Sequence, residues 1–249
     1  MNVLAAFIFF TRLPFWRLRE VPAESFKHVV GYWPLVGWLT GGTMSGVLWL
    51  ASLVLPLPVA VLLALISRLL LTGALHEDGL ADFFDGLGGG TTRERTLAIM
   101  KDSHIGSYGV IGLILYFLLS WSLLISLPLP LLYGVLLTGD VWCKFVASQL
   151  INVLPYARKE EESKAKVVYN RMTPMEWAVA FVCGTLPFFL WFPLQPWLSA
   201  LLPVVVFALL CQLMKRRLQG YTGDCCGATF LLCELSFYLG TVITLSIWN

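Results

Sequence analysis

Charged side chains are absent from three long stretches, Val29–Ser67, Ile105–Gly139 and Trp177–Met214. Each carries a proline pair near its middle: Pro56 and Pro58, Pro128 and Pro130, Pro193 and Pro196. Proline cannot continue a helix, and it disfavours the helical conformation in the residue before it. A membrane-crossing helix needs about 20 apolar residues, so each stretch predicts two spans joined by a tight proline turn. One more apolar segment closes the chain. The expected spans are 31–54, 59–75, 106–126, 131–154, 176–192, 197–214 and 226–247. The fold class predicted is all-α: a polytopic integral membrane helical bundle, one domain over 1–249, with about seven transmembrane helices.

Charge gives that bundle an orientation. None of the seventeen Lys and Arg lies in a proline turn, and fifteen fall in segments 12–27, 93–101, 158–171 and 215–217. Positive loops stay cytoplasmic, so the polar loops are read as inside, the proline turns as outside, and an odd span count leaves the C-terminus outside. Segment 1–27 is too short in its apolar part to span. It reads as interfacial or re-entrant, with Arg12, Arg17 and Arg19 at the headgroups. Met1–Phe10 lacks a basic leader and no small-residue cleavage site follows, so no secretory signal is expected. The composition agrees: 58% hydrophobic, 13% charged, ten Trp and a mean hydropathy of +0.78 over 249 residues. The six cysteines lie in or beside apolar segments without CxxC spacing and read as reduced packers.

Chemistry concentrates in one place. LTGALHEDGLADFFDGLGGG (71–90) sets four of the fifteen acidic residues within 77–85. On a helix Asp78, Asp82 and Asp85 stand at i, i+4 and i+7, so their carboxylates share a face. Like charges at that spacing repel. A hard divalent cation such as Mg²⁺, bound through carboxylates and substrate phosphates, would neutralise them. Gly88, Gly89 and Gly90 then end the helix. Segment 76–105 is thus read as the cytoplasmic acidic catalytic loop, with Thr91-Thr92-Arg93-Glu94 starting a short helix to about Lys101. Loops 155–175 and 215–226 are further cytoplasmic loops, the first a mixed-charge linker at anionic headgroups. The second ends in Gly220-Tyr221-Thr222-Gly223-Asp224, a glycine-rich turn entering a helix, which can offer N–H groups to phosphate. Arg68, Asp140, Lys144 and Glu234 fall inside predicted spans, where ionisable groups face a partner or a wet cavity. Asp140 and Lys144 read either as a self-neutralising pair or, with Arg68, as the lining of a polar cavity opening to the cytoplasm.

Metal, basic residues and a membrane-embedded pocket suit attack on a phosphoanhydride. No Walker A pattern occurs, which disfavours an ATP-driven pump, and no GxSxG elbow is present. The motif LTGALHEDGLADFFDG resembles the signature of the cobalamin synthases, the adenosylcobinamide-GDP ribazoletransferases. Phe10-Thr11-Arg12-Leu13-Pro14, Trp33-Pro34-Leu35-Val36-Gly37, Lys101-Asp102-Ser103-His104-Ile105-Gly106 and Gly220-Tyr221-Thr222-Gly223-Asp224 resemble further motifs of that family, in order, across nearly the whole chain. The resemblance implies that α-ribazole or its 5′-phosphate attacks the cobinamide-linked phosphate of adenosylcobinamide-GDP and releases GMP, with Mg²⁺ required. It implies Asp78, Asp82, Asp85, Asp102 and Asp224 as metal ligands, with Asp82 or Asp85 doubling as base. Arg12, Arg93, Lys101 and His76 would contact phosphates or the leaving group, with His76 part of the catalytic set. Thr222 and Gly223 would bind phosphate, while His104 reads equally as a helix cap. The bacterial inner membrane, an active site at the cytoplasmic face, lipid contacts and no nucleic acid complete the expectation, with a second copy or other cobalamin-assembly enzymes as candidate partners.

Two other readings share these features. A CDP-alcohol phosphotransferase-like or prenyltransferase-like enzyme also sets aspartates at i, i+4, but the former needs DGxxAR where this chain has Asp78-Gly79-Leu80-Ala81-Asp82. A cation-coupled transporter would need broken mid-span segments, and its carboxylates would not stand at the membrane edge.

Overall fold

A computed structural model describes residues 1–158, 167–191 and 197–248. Helix α1 (Asn2–Phe10) is followed by 3₁₀ turns at Phe15–Arg17 and Ala23–Tyr32. Then come α2 (Trp33–Ser52), α3 (Leu57–Thr72), α4 (Leu75–Gly89), α5 (Arg93–Lys101) and α6 (Ser107–Ile125). The rest is α7 (Leu129–Ser148), α8 (Leu150–Val153), α9 (Pro174–Trp191), α10 (Trp197–Arg217) and α11 (Gly223–Trp248). Among the described residues the only strand-like pairing is one bridge between Tyr156 and Tyr221, so the chain is all-helical as expected.

Every expected span has a helix at its place, with α3 and α7 starting at proline pairs. Length and apolarity support fewer crossings. Ser107–Ile125, Leu129–Val153, Leu198–Arg217 and Gly223–Ile247 qualify, and α3 with α4 adds a fifth if that bent pair counts as one span. Among the described residues, then, the number of qualifying spans is four or five, and the seven expected are not reached by this measure. The proline turn at 193–196 and much of the mixed-charge linker, 159–166, lie outside the described residues.

Small residues set the packing. Gly37 and Gly41 let α2 lie against α7: a Cβ at Gly37 would stand 2.9 Å from the Val141 Cα, and one at Gly41 would stand 3.0 Å from the Leu137 Cα. One turn on, the Ser45 hydroxyl donates to the Tyr133 carbonyl at 2.9 Å. Close approach of backbones through small residues is how helices associate where lipid removes the hydrophobic drive. Segment 1–27 does more than lie at an interface. Ala5, Ala6 and Phe10 are buried, with Phe10 stacked on Trp33 at 5.0 Å. The six cysteines are free thiols, five of them buried.

Candidate functional site

The site begins at a corner. Gly73 ends α3 at φ +65°, and Ala74 follows at φ +56°, two successive left-handed residues. Glycine takes that conformation freely, while alanine does so at a cost. Between them α4 turns 91° from α3. Arg12 locks the corner: its N–H donates to the Leu71 carbonyl at 2.7 Å, and its guanidinium covers the face where Gly73 would carry a Cβ. The acidic motif is helical, as its spacing predicts, and forms a helix of its own at the start of the segment read as the cytoplasmic loop. Its three aspartates share a face with unequal environments, Asp78 exposed, Asp82 9% and Asp85 7% exposed.

α4 crosses α11 through two reciprocal notches. A Cβ at Gly79 would lie 2.9 Å from the Asp224 carbonyl oxygen, and one at Gly227 would lie 3.1 Å from the His76 Cα. This contact brings Asp78 and Asp224, 146 positions apart in numbering, onto one cavity of about 310 Å³, which Arg158 and Gly223 also line. Thr222 shapes the start of α11. Its hydroxyl accepts the Cys225 N–H at 3.4 Å and lies 3.3 Å from Asp224 Oδ2. Asp78 and Gly223 are exposed, whereas Phe10, Trp33 and His76 are buried, so the cavity runs from an acidic rim to an aromatic floor. His76 is 2% exposed and packs against Trp33 at 5.3 Å and Phe230 at 5.0 Å. Among the described residues its Nε2 has no hydrogen-bond partner. Burial raises the Tyr169 phenol well above its ordinary value, so it presents a neutral ring to the cavity.

Asp85 faces elsewhere. Its two oxygens accept the N–H groups of Gly106 (2.7 Å) and Gly109 (2.8 Å), capping α6 from another helix. Glycine at both partners lets the carboxylate come this close, since a Cβ on either would stand 2.5 Å from it and push it aside. Asp85 and Asp102 line a second cavity of about 380 Å³ with Arg95. Asp102 accepts the His104 N–H at 3.1 Å and pairs with its ring Nδ1 at 2.7 Å, and these bonds lower its carboxyl below the ordinary 3.8. The five expected metal ligands are thus divided: Asp78 and Asp224 line one cavity, Asp85 and Asp102 another, and Asp82, 9% exposed between them on α4, lines neither. Among the described residues no three His, Cys, Asp or Glu come together as a closed cage.

The expected phosphate arms are divided as well. Arg93 donates to the carbonyls of Leu218 (2.9 Å) and Ala157 (2.6 Å), and with Lys101 it lines a third cavity of about 510 Å³. Thr92, not Thr91, caps α5 by accepting the Arg95 N–H at 3.2 Å, so that helix begins one residue later than a Thr91-to-Glu94 box would set it. Two arginines not singled out as site residues matter here. Arg158 donates to the Leu97 carbonyl at 2.8 Å, and Arg217 closes the end of α4 by donating to the Gly90 carbonyl at 2.6 Å. Their distance in sequence from the acidic motif hid them.

Below the site lies a buried ionic cluster. Arg68 pairs with Glu234, with Asp140 (3.5 Å) and with Glu77 (3.8 Å), and donates to the Tyr116 hydroxyl at 2.9 Å. Lys144 pairs with Asp140 and donates to Thr40 at 2.9 Å. Asp140 and Lys144 therefore form the expected pair but inside a larger network, and neither oxygen of Glu77 has a hydrogen bond among the described residues.

A family profile described as cobalamin-5-phosphate synthase (CobS) matches residues 2–242. A protein of Shewanella putrefaciens strain CN-32 named adenosylcobinamide-GDP ribazoletransferase is 39% identical over 247 residues, 98% of this chain and 94% of its own length. One of the same name from Shewanella oneidensis is 37% identical over 233 residues, 92% of this chain and 89% of its own length. No solved structure matches. The chain belongs to the cobalamin-5-phosphate synthase (CobS) family and is a transferase of cobalamin synthesis.

Proposed function

We propose that the chain joins adenosylcobinamide-GDP to α-ribazole or its 5′-phosphate and releases GMP, at the cavity between α4 and the start of α11. The observation that carries this is the Gly79–Asp224 notch, which sets two carboxylates from distant motifs beside Arg158 on one lining. Two carboxylates with substrate phosphate oxygens fit Mg²⁺, which keeps several waters and seldom occupies an all-protein cage. Asp78 and Asp224 would hold it, and when bound it would supply charge neutralisation at the anhydride phosphates. A ribazole hydroxyl attacks the cobinamide-linked phosphorus, forming one P–O bond as the P–O bond to GMP breaks. Asp82, next along the same face of α4, takes the hydroxyl proton. Arg158 steadies charge on the departing phosphate. Asp85 and Asp102 act from the second cavity by holding α6 and its entering turn.

Orientation follows the basic loops. Arg93, Arg158 and Arg217 tie residues 87–97, 157–158 and 217–218 to one end of the bundle, and positive charge favours the cytoplasmic side of a bacterial inner membrane. The C-terminal end of α11 then points outward. Lipid would cover α6 and α10, where Leu118 and Leu209 are 58% and 60% exposed.

The test is GMP release by detergent-purified protein given both substrates. Mg²⁺-dependent product is expected from wild type, abolished by EDTA and lowered by about 100-fold or more in Asp78→Asn and Asp224→Asn. Well-folded wild type that makes no GMP overturns the reading.

A further inference from the structure

We infer that the aromatic floor of the 310 Å³ cavity is the seat of the nucleophile's base, the dimethylbenzimidazole of ribazole, and not of the donor's guanine. The inference rests on the proposed reaction and assigns its two substrates to different places.

Size excludes one group first. A cavity of about 310 Å³ stands at the low end of small-molecule sites, room for a nucleoside and far too little for a corrin ring. Chemistry then separates the two heterocycles. The aromatic residues lining the cavity are Phe9, Phe10, Trp33, Tyr156 and Tyr169, faces suited to stacking. Guanine would carry an amide and an amino group into that floor, and a buried donor or acceptor without a partner is penalised. Dimethylbenzimidazole presents two methyl groups and a fused aromatic ring, with a single free ring nitrogen as its one acceptor. Among the described residues the floor offers no free donor or acceptor to meet guanine's extra polar groups there: His76 lines the cavity but is 2% exposed, and its Nε2 is buried away from the open space. The ribose then extends toward Asp78 and Asp224 at the rim, where its hydroxyl meets the donor's phosphate.

The test uses full-length protein in detergent and titrates α-ribazole alone by calorimetry, then measures GMP release with each substrate varied. Phe9→Ala and Tyr169→Ala should each weaken ribazole binding and raise its KM by about tenfold, with the KM for adenosylcobinamide-GDP moving by less than about twofold. Tyr169→Phe keeps the stacking face and should bind as wild type, which separates lost contact from lost fold. Guanosine should not compete. Competition by guanosine, or a donor KM that rises while ribazole binding holds, overturns the assignment even if GMP is made. Ribazole binding that responds to these substitutions in a protein making no GMP would sink the proposed reaction and leave this assignment standing.

Discussion

Asp85 shows how one carboxylate can be fixed by a helix it does not belong to. Its oxygens replace the missing cap of α6, where N–H groups and the helix dipole both favour an anion. Asp85→Asn keeps the shape but turns an N–H donor toward N–H donors, so thermal unfolding in detergent should show a loss of about 1–2 kcal/mol. An unshifted midpoint would mean the cap contributes nothing. Asp102 gives a pH-dependent counterpart. Hydrogen bonds from the His104 ring and amide lower its folded value from 3.8. Their stabilisation is therefore present above the unfolded value and lost as pH falls through the lower folded one. A carboxyl-carbon NMR titration should place Asp102 below 3.8, with His104→Ala moving it upward, and an identical midpoint in the variant would refute the cause. The shared face of Asp78, Asp82 and Asp85 was legible from spacing alone. That Asp85 turns away was not, because its partners sit 21 and 24 residues onward.

At the scale of elements, the α4–α11 crossing decides whether two acidic motifs make one site. Gly79→Val would push a branched side chain into the Asp224 backbone 2.9 Å from where the Cβ begins. The helices must separate, and Asp78 with Asp224. Turnover should fall by about 100-fold or more while the protein stays folded, because a displacement of about 1 Å is enough. Near-normal GMP formation by Gly79→Val would show that the crossing does not position the chemistry. Helix positions were readable from charge-free runs and proline pairs. The right-angle corner was not: Gly73 signals a possible stop, but Ala74 in the left-handed region has no marker in sequence and is held by tertiary contacts such as that of Arg12.

For the whole molecule, the cluster of Arg68, Glu77, Asp140, Lys144 and Glu234 ties α3, α4, α7 and α11 together beneath the site. Arg68→Met leaves buried carboxylates without their counter-charge and should cost about 3–5 kcal/mol by thermal unfolding. Arg68→Met with Glu234→Gln removes both partners of one pair and should recover part of that loss. A double variant no more stable than the single would show that the pair does not act as a unit. The ionisable positions were visible as charges inside apolar runs, and Asp140 with Lys144 as neighbours on one helix. The wider pairing was hidden, since Arg68 finds its carboxylates 72 and 166 residues away.

That last separation has a consequence for how the chain is made. Ribosomes add about 5–20 residues per second, so α3 enters the bilayer roughly 10 to 30 s before Glu234, 166 residues later, exists to meet Arg68. During that interval Arg68 carries an insertion penalty of about 2.5–3.5 kcal/mol, relieved in part by Glu77 close behind it in the chain and again when Asp140 arrives. Biogenesis is thus ordered: the first half of the bundle waits for the last helix to complete the buried network around Arg68. A nascent chain that stops before α11 leaves Arg68 and Lys144 balanced in charge by Asp140 and Glu77, but without the Glu234 carboxylate that binds Arg68 and Tyr116 in the finished core.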